Sequence, residues 1–147
     1  MIDYDPTLVG RVFEAESPIH VSAKMIADFC AAIGETNPLY TDGETAQKGP
    51  YGVLVAPPSY AAAFRDGDNI SEQVSRYGTR RLAAGMDVDF VIPIRAGDSV
   101  TIVSSIKEVY EKTGRSGAMI FVVIRSTLKN QHGEVVAYID HRFMNRP

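Results

Sequence analysis

The chain has 147 residues, of which 45% are hydrophobic, and its 15 basic and 18 acidic residues give a formal net charge of −3. These values are typical of one folded domain, which we expect to span residues 1–147. The interspersed charges form no positive stripe for nucleic acid, and no apolar run of about 18 residues exists to cross a membrane, so neither is an expected partner.

The first predicted element is a helix from Val21 to Gly34. Ser22 is expected to cap it, and Gly34 provides the left-handed conformation at which helices commonly end. The sole cysteine, Cys30, can form no internal disulfide and has no metal-ligand spacing, so we expect it to be a small buried hydrophobe. The apolar residues at the spacing of one buried helix face are Ile26, Phe29, Cys30 and Ile33.

After this helix, Asn37-Pro38 predicts a turn, and Asp42 to Lys48 predicts a short exposed helix. A second helix is expected to begin at Pro57-Pro58, because proline is preorganised for a first helical turn. It would continue over Ser59 to Arg65, where a run of alanines permits close packing against a sheet.

From Leu82 onward the pattern changes to strands rich in β-branched and aromatic residues. Two glycine-containing connections, at 113–117 and 130–133, are typical of hairpins. We therefore expect a continuous antiparallel meander and, since helices precede strands, an α+β domain. The four predicted strands are Ala83 to Ile92, Ser99 to Glu111, Ala118 to Lys129 and Glu134 to Asn145.

The third of these strands is apolar on both faces, since every residue from Met119 to Ile124 is hydrophobic. The alanine-rich helix can cover part of one face, but a single helix cannot cover a long twisted sheet. We therefore predict that a second subunit covers the rest and that the chain is part of a dimer.

Three segments together resemble the MaoC family of acyl-thioester dehydratases and hydratases. Gly34 to Asp42 (GETNPLYTD) is similar to the family's hydratase motif, and Val53 to Tyr60 (VLVAPPSY) to the start of its central helix. Asp87 to Val100 (DVDFVIPIRAGDSV) is similar to the strand after that helix. The resemblance covers about Pro18 to Phe143. It implies a hot-dog fold, an antiparallel sheet wrapped around a central helix, usually as a dimer or a double hot dog.

The resemblance also implies a reaction, the reversible addition of water across the C2–C3 double bond of an enoyl thioester of coenzyme A or acyl carrier protein. An acid and a base must handle the water and the C2 proton, and a donor must stabilise the thioester oxygen. Active members place an aspartate and a histidine where this chain has Glu35 and Tyr40. Glu35 is a longer carboxylate, and a phenol, protonated at neutral pH, does not readily act as a base.

The donor position also departs from the family, because Pro58 stands where active members use a glycine N–H. Proline has no N–H, so the amide of Ser59 or Tyr60 would have to replace it. The resemblance therefore predicts a degenerate catalytic pair, Glu35 and Tyr40. The expected substrate-binding residues are Asn37, Pro58, Ser59, Tyr60 and Phe64.

Structural interpretations stay open for the same residues. Glu35 and Tyr40 also suit surface turn positions, Asn37 also suits a residue that orders its own turn, and Pro57-Pro58 also suits a simple helix start. The end of an acyl tunnel is expected at Tyr60, Phe64 and the stretch from Asp66 to Arg80, but the acyl chain length is not specified by the sequence.

No other histidine is expected to replace the missing one. His20, before the first helix, and His132, in a hairpin, are expected to be solvated, whereas His141 in the last strand suits a structural role. Arg80-Arg81 suits a solvated patch better than a site for the phosphate of coenzyme A or carrier protein.

Two functions from different classes follow. We favour an acyl-thioester-binding subunit of a (3R)-hydroxyacyl dehydratase or (R)-specific enoyl hydratase, whose MaoC-type partner supplies aspartate and histidine; this layout resembles the substrate-binding subunit of mycobacterial-type heteromeric dehydratases. The alternative is a self-sufficient homodimeric hydratase that uses Glu35 and Tyr40, and a hot-dog thioesterase is a weaker one. No metal or redox cofactor is indicated. Because residues 1–6 lack the pattern of a secretion signal, the expected location is the cytoplasm.

Overall fold

A computed structural model describes residues 4–15, 17–65, 78 and 80–147. Short helices precede long antiparallel strands in this part of the chain, which confirms the predicted α+β class. None of its helices combines the length and the apolar character needed to cross a membrane. The elements are a 3-10 turn at Pro6–Leu8, β1 (Val12–Glu14), β2 (Ile19–His20), α1 (Ala23–Ile33), α2 (Pro38–Thr41), α3 (Gly43–Gln47), a 3-10 helix at Pro58–Ala63, β3 (Arg80–Phe90), β4 (Ser99–Gly114), β5 (Gly117–Lys129) and β6 (Val135–Arg146).

The first predicted helix is confirmed, and both of its ends have the predicted caps. The Ser22 hydroxyl accepts a hydrogen bond from the Met25 N–H at 3.1 Å. Gly34 ends α1 with φ +72°, a left-handed conformation that glycine adopts without steric cost. The predicted Asn37-Pro38 turn is the start of α2, and the helix predicted from Asp42 to Lys48 is α3, with Asp42 as its cap.

The second predicted helix is wrong in type, because the structure has a 3-10 helix at Pro58–Ala63 instead of an α-helix from Ser59 to Arg65. Its hydrogen bonds join residues three apart, from the Tyr60 N–H to the Pro57 carbonyl and from the Phe64 N–H to the Ala61 carbonyl. The two successive prolines are compatible with either type of helix, because the first amides of a helix have no acceptor within it, so tertiary contacts decide the type over so short a segment. Residues 66–77 and 79, which fall in the predicted tunnel end, lie outside the described residues.

The sheet has the order β1-β4-β5-β6-β3, and β2 also pairs with β4. The hairpins β4–β5 and β5–β6 are confirmed, but the continuous meander is wrong at β3, which pairs with β6 rather than with β4. The chain between β3 and β4 does not form a hairpin, because its backbone is hydrogen-bonded to residues 54–56 instead. Ile94 accepts from the Ala56 N–H at 2.8 Å, and the Ala96 N–H donates to the Leu54 carbonyl at 2.9 Å.

One face of the sheet, called the inner face, carries the hydrophobic core. α1 and the 3-10 helix pack there through Ile26, Cys30 and Phe64, each at most 2% exposed, to form the main core. A smaller core forms where Leu8, in the N-terminal segment, packs on Ile106 and neighbouring residues. Neither this segment nor the short strands β1 and β2 were predicted. A run of two or three residues is too short to show an alternating pattern.

β3 is the terminal strand of the sheet and is only partly covered. Its inner-face residues Met86 and Phe90 pair across the ladder with His141 and Ala137 of β6. Ala137 is fully buried, whereas Met86 and Phe90 are 41% and 42% exposed. The covering elements therefore reach β6 but not the far side of the sheet.

Candidate active site

The loop after α1 is pinned to that helix at both ends. The Glu35 N–H donates to the Cys30 carbonyl at 2.9 Å, and the Cys30 thiol donates to the Tyr40 carbonyl at 3.7 Å. Burial, and then the negative charge of Glu35, raise the pKa of the Cys30 thiol, which favours the protonated donor form. The predicted burial of Cys30 is confirmed, since it is 1% exposed.

The side chains of Glu35 and Asn37 order this loop. Glu35 Oε1 accepts hydrogen bonds from the backbone N–H groups of Thr36 and Asn37, at 2.9 and 2.8 Å. Asn37 Oδ1 accepts from the Leu39 N–H at 3.0 Å and so caps α2, which confirms the interpretation of Asn37 as a residue that orders its own turn. Contact of either side chain with a substrate stays a prediction.

A groove of about 270 Å³, called the tyrosine groove, lies between this loop, the 3-10 helix and the end of β3. Two of the predicted site residues, Tyr40 and Pro58, line it together; Glu35 and Ser59 do not belong to its lining. Tyr51 also lines the groove, and this was not predicted because no motif surrounds Tyr51 in the sequence. The complete lining is Tyr40, Tyr51, Val55, Ala56, Pro58 and residues 90–94.

The amides near Pro58 offer few donors to a thioester oxygen. Pro58 itself has none, and the Tyr60 N–H already donates to the Pro57 carbonyl at 2.8 Å. Of the two amides considered as replacements, only that of Ser59 is left. Pro58 therefore contributes no backbone N–H to the groove wall, and Ser59 does not belong to its lining.

Tyr60 and Phe64 lie in the main core instead of on the wall of the tyrosine groove. They are 3% and 2% exposed, and the Tyr60 ring makes edge-on contacts with Phe29 and Phe64 at centroid distances of 5.1 and 5.6 Å. Burial raises the pKa of the Tyr60 phenol, so the ring stays neutral. Their contact with an acyl chain stays a prediction.

None of the three histidines, all of which the structure describes, is among the residues that line the groove. His20 Nδ1 lies 2.7 Å from the Ser99 hydroxyl on the surface, and His132 is exposed at a hairpin tip, as predicted. His141 is half-buried and stacks against Phe143. Across the described ranges, no three His, Cys, Asp or Glu side chains come close enough together to hold a metal ion.

The predicted arginine patch lies at the start of β3, away from the groove lining. Arg80 is exposed, and the Arg81 guanidinium lies over the Phe143 ring at 4.5 Å from its centroid. The groove is therefore walled mainly by apolar and aromatic side chains, with two phenols as its hydrogen-bonding side chains. Such a surface can bind an apolar chain, but it lacks a group that readily takes up a proton at neutral pH.

Comparison with known proteins places the chain beside dehydratases. The model of the family described as FAS1-like, dehydratase domain region, matches residues 7–139. A UPF0336 protein of Streptomyces avermitilis is 29% identical over 136 residues, which are 90% of this chain and 88% of that protein.

Two solved structures are similar in fold. The C-terminally truncated HadBC (3R)-hydroxyacyl-ACP dehydratase complex of Mycobacterium tuberculosis has a TM-score of 0.79 at 22% identity, covering 94% of this chain and 97% of that one. A MaoC-like dehydratase of Rhodospirillum rubrum has a TM-score of 0.70 at 23% identity, covering 95% and 94%. The hot-dog fold that the sequence motifs implied is thereby confirmed.

Proposed function

Because the chain belongs to the FAS1-like dehydratase-domain family, we propose that it is the acyl-thioester-binding subunit of a (3R)-hydroxyacyl dehydratase or (R)-specific enoyl hydratase. A MaoC-type partner supplies the catalytic acid and base. One observation carries the proposal: the tyrosine groove is lined by Tyr40 and Pro58, where this chemistry needs a proton-transferring group and a backbone N–H.

The reaction removes a proton from C2 and the hydroxyl from C3 of a (3R)-hydroxyacyl thioester, which leaves an enoyl thioester and water. The Glu35 carboxylate is the nearest candidate base in the motif, but its Oε1 is held by two backbone N–H groups and it does not line the groove. Tyr40 can orient a water or an oxygen as a donor. This division of roles supports binding by this chain and proton transfer by another.

The position of β3 supports assembly with a partner. Within the described part of the chain, β3 pairs with β6 alone, and a strand of a second subunit would pair with its other edge. A second subunit attached at this edge would shield Met86 and Phe90, which are 41% and 42% exposed, and would narrow the open side of the tyrosine groove. The similar HadBC structure is itself a complex of dehydratase chains.

The test is hydration of a short enoyl-CoA, measured with the purified chain alone and after co-expression with candidate MaoC-type chains. We expect the chain alone to bind a saturated acyl-CoA but to leave the enoyl-CoA unhydrated, and the co-purified pair to be active. Tyr51→Ala, which removes a side chain from the groove wall, should weaken acyl-CoA binding about fivefold or more.

Met25→Ala is the matched control, because Met25 is also an exposed hydrophobic residue, at 39%, but lies on α1 outside the groove lining. Its binding should equal that of the unmodified chain. Rapid hydration by the chain alone, lost in Glu35→Gln, would overturn the subunit role in favour of a homodimeric hydratase. Release of free coenzyme A from a saturated acyl-CoA would instead indicate a thioesterase.

A further inference from the structure

A second cavity, of about 480 Å³, lies beside the tyrosine groove. The two cavities share Ile92 and Pro93 in their walls, so they adjoin each other at this segment. Polar side chains from two loops dominate the second cavity, which we call the polar pocket. One loop is the turn at 95–98 before β4, and the other is the β5–β6 hairpin at 130–134.

Hydrogen bonds hold these two loops together. Asp98 is 6% exposed, and its carboxylate accepts from the Arg95 N–H at 2.8 Å and from Gln131 Nε2 at 3.1 Å. Gln131 Oε1 in turn accepts from the Ser99 N–H at 3.0 Å. The wall of the polar pocket is therefore preorganised, and a ligand does not have to order it.

The hairpin is ordered by Asn130, which is 8% exposed. Its Oδ1 accepts from the N–H groups of His132 and Glu134, and its Nδ2 donates to Glu134 Oε2 at 2.9 Å. Gln131 Nε2 lies 3.3 Å from His132 Nε2. Because an amide nitrogen can only donate, His132 Nε2 is the acceptor, and its Nδ1–H is left as a donor.

Three groups of the polar pocket stay available to a ligand. Besides the His132 Nδ1–H, these are the Arg95 guanidinium, which has no ion pair or hydrogen bond within the described part of the chain, and Glu134 Oε1. Two of them donate and one accepts. This combination matches an amide group, whose carbonyl accepts from a cation or ring N–H and whose N–H donates to a carboxylate.

The charge of the polar pocket disfavours a phosphate. Arg95 is its one cationic side chain among the described residues, and it is outnumbered by the carboxylates of Asp98 and Glu134. A doubly charged anion placed there would be repelled by both. A neutral ligand with several amides fits the pocket better.

We propose that the polar pocket binds the amide-bearing pantetheine arm of a thioester whose acyl chain occupies the tyrosine groove. This inference rests on the proposed function, because it assumes that the groove holds the acyl chain. Coenzyme A and acyl carrier protein carry the same arm, so the pocket would recognise what both substrates share and leave their phosphates outside.

The test compares the affinities of four hexanoyl thioesters that differ only in the thiol: ethanethiol, N-acetylcysteamine, pantetheine and coenzyme A. Each amide that gains a hydrogen bond should improve affinity about fivefold. The pantetheine thioester should therefore bind at least tenfold more tightly than the ethyl thioester. The affinity of the coenzyme A thioester should match that of the pantetheine thioester to within about threefold. A hexanoyl carrier protein should also bind less tightly when the donors of the polar pocket are removed by substitution.

The double variant Arg95→Ala/His132→Ala removes both donors and keeps the hydrogen bonds of the Asp98 carboxylate and of Asn130 Oδ1, in which only the backbone N–H groups of Arg95 and His132 take part. Among the described residues, the one contact of the wall that it removes is that of His132 Nε2 with Gln131 Nε2. The double variant should bind the pantetheine thioester at least fivefold more weakly and the ethyl thioester with unchanged affinity. Arg115→Ala is the control, since Arg115 is exposed at the opposite hairpin tip. In NMR spectra, the side-chain amides of Asn130 and Gln131 should shift with the pantetheine and coenzyme A thioesters but not with the ethyl thioester.

The outcomes separate the two proposals. If all four thioesters bind with equal affinity, or if the Asn130 and Gln131 amides do not shift, the polar pocket does not hold the arm, and the acyl-binding role survives. If no thioester binds, the proposed function fails and this inference fails with it. If the coenzyme A thioester binds more tightly than the others and the double variant does not weaken its binding, the group that is recognised lies outside the polar pocket.

Discussion

One row of residues across the inner face shows how differently the two sides of the sheet are covered. Ile106 of β4, Ile124 of β5, His141 of β6 and Met86 of β3 follow one another through the paired ladders. The two isoleucines are 0% and 2% exposed, His141 is half-buried, and Met86 is 41% exposed. The row therefore passes from a closed core to an open surface within one sheet.

The contrast between the two sides of the sheet separates stability from function in this fold. The N-terminal segment buries β4 and β5 through Leu8, and α1 with the 3-10 helix covers the other end of the same strands. Beside β3, the inner face instead opens into the tyrosine groove at Phe90. We therefore expect substitutions on β4 to β6 to change the free energy of unfolding and substitutions on β3 to change binding and assembly.

The largest effect is expected from Ile124→Ala. Truncation of a fully buried isoleucine loses its transfer free energy and leaves a cavity, so the free energy of unfolding should fall by about 3 kcal/mol. Met86→Ala in the same row should cost less than about 1 kcal/mol, because much of that side chain is already in water. Urea denaturation at low protein concentration measures both. Equal costs for the two variants would contradict the contrast between the sides of the sheet.

A smaller difference in unfolding free energy is expected when each of two ion pairs on the outer face of the sheet is broken. Asp140 joins three strands, since it accepts from Arg125 of β5 at 2.7 Å and from Lys107 of β4 at 2.6 Å, and its side chain is 13% exposed. Asp140→Asn should cost about 1–2 kcal/mol. Asp87→Asn, which breaks a pair between β3 and Arg142 with a 71% exposed carboxylate, should cost less than about 0.5 kcal/mol.

The cost of Asp140→Asn should depend on pH in a defined direction. Hydrogen bonds from Arg125, and then from Lys107, hold the pKa of the Asp140 carboxyl below its usual value. A carboxyl whose pKa is lower in the folded state stabilises the fold above its unfolded pKa of about 4, and this stabilisation is lost as the pH falls through the folded value. The difference in unfolding free energy should therefore be constant from pH 6 to 8 and shrink below pH 4. A difference that grows in acid would contradict this.

A small effect on stability, but a clear effect on binding, is expected from Phe90→Ala. Phe90 is 42% exposed and lines the tyrosine groove, whereas its ladder neighbour Ala137 is buried. The free energy of unfolding should change by less than about 1 kcal/mol, and a saturated acyl-CoA should bind about fivefold more weakly. Titration calorimetry and urea denaturation of the same preparation test this. A large loss of stability with unchanged binding would reverse the assignment of β3.

Much of the fold could be predicted, because its signals are local. The caps of α1 at Ser22 and Gly34 and the hairpins at 113–117 and 130–133 depend on neighbouring residues, and the structure has them where the sequence indicates. The type of the helix after Pro57 was missed, since tertiary contacts decide between three-residue and four-residue hydrogen bonds over so short a segment.

The candidate site was predicted in part, and the motif resemblance provided that part. It led to Tyr40 and Pro58, which line one groove, but it also led to Tyr60 and Phe64, which the structure buries in the main core. Tyr51 was missed because a tyrosine after a turn has no pattern that indicates a ligand. The polar pocket was missed for a similar reason, since Asp98 and Gln131 are 33 residues apart in the chain.

The α+β class, the first helix with its caps and the two hairpins could be predicted from the sequence alone. The sequence also identifies the residues that depart from the family motif, namely Glu35, Tyr40 and Pro58. These features follow from side chains that act on their own stretch of backbone or from the identity of a residue. The pairing of β3 with β6, and the wall that the tyrosine groove and the polar pocket share, became visible only in the folded structure. Such features depend on contacts between segments that are distant in the chain, and a local sequence pattern does not specify which distant segments will pair.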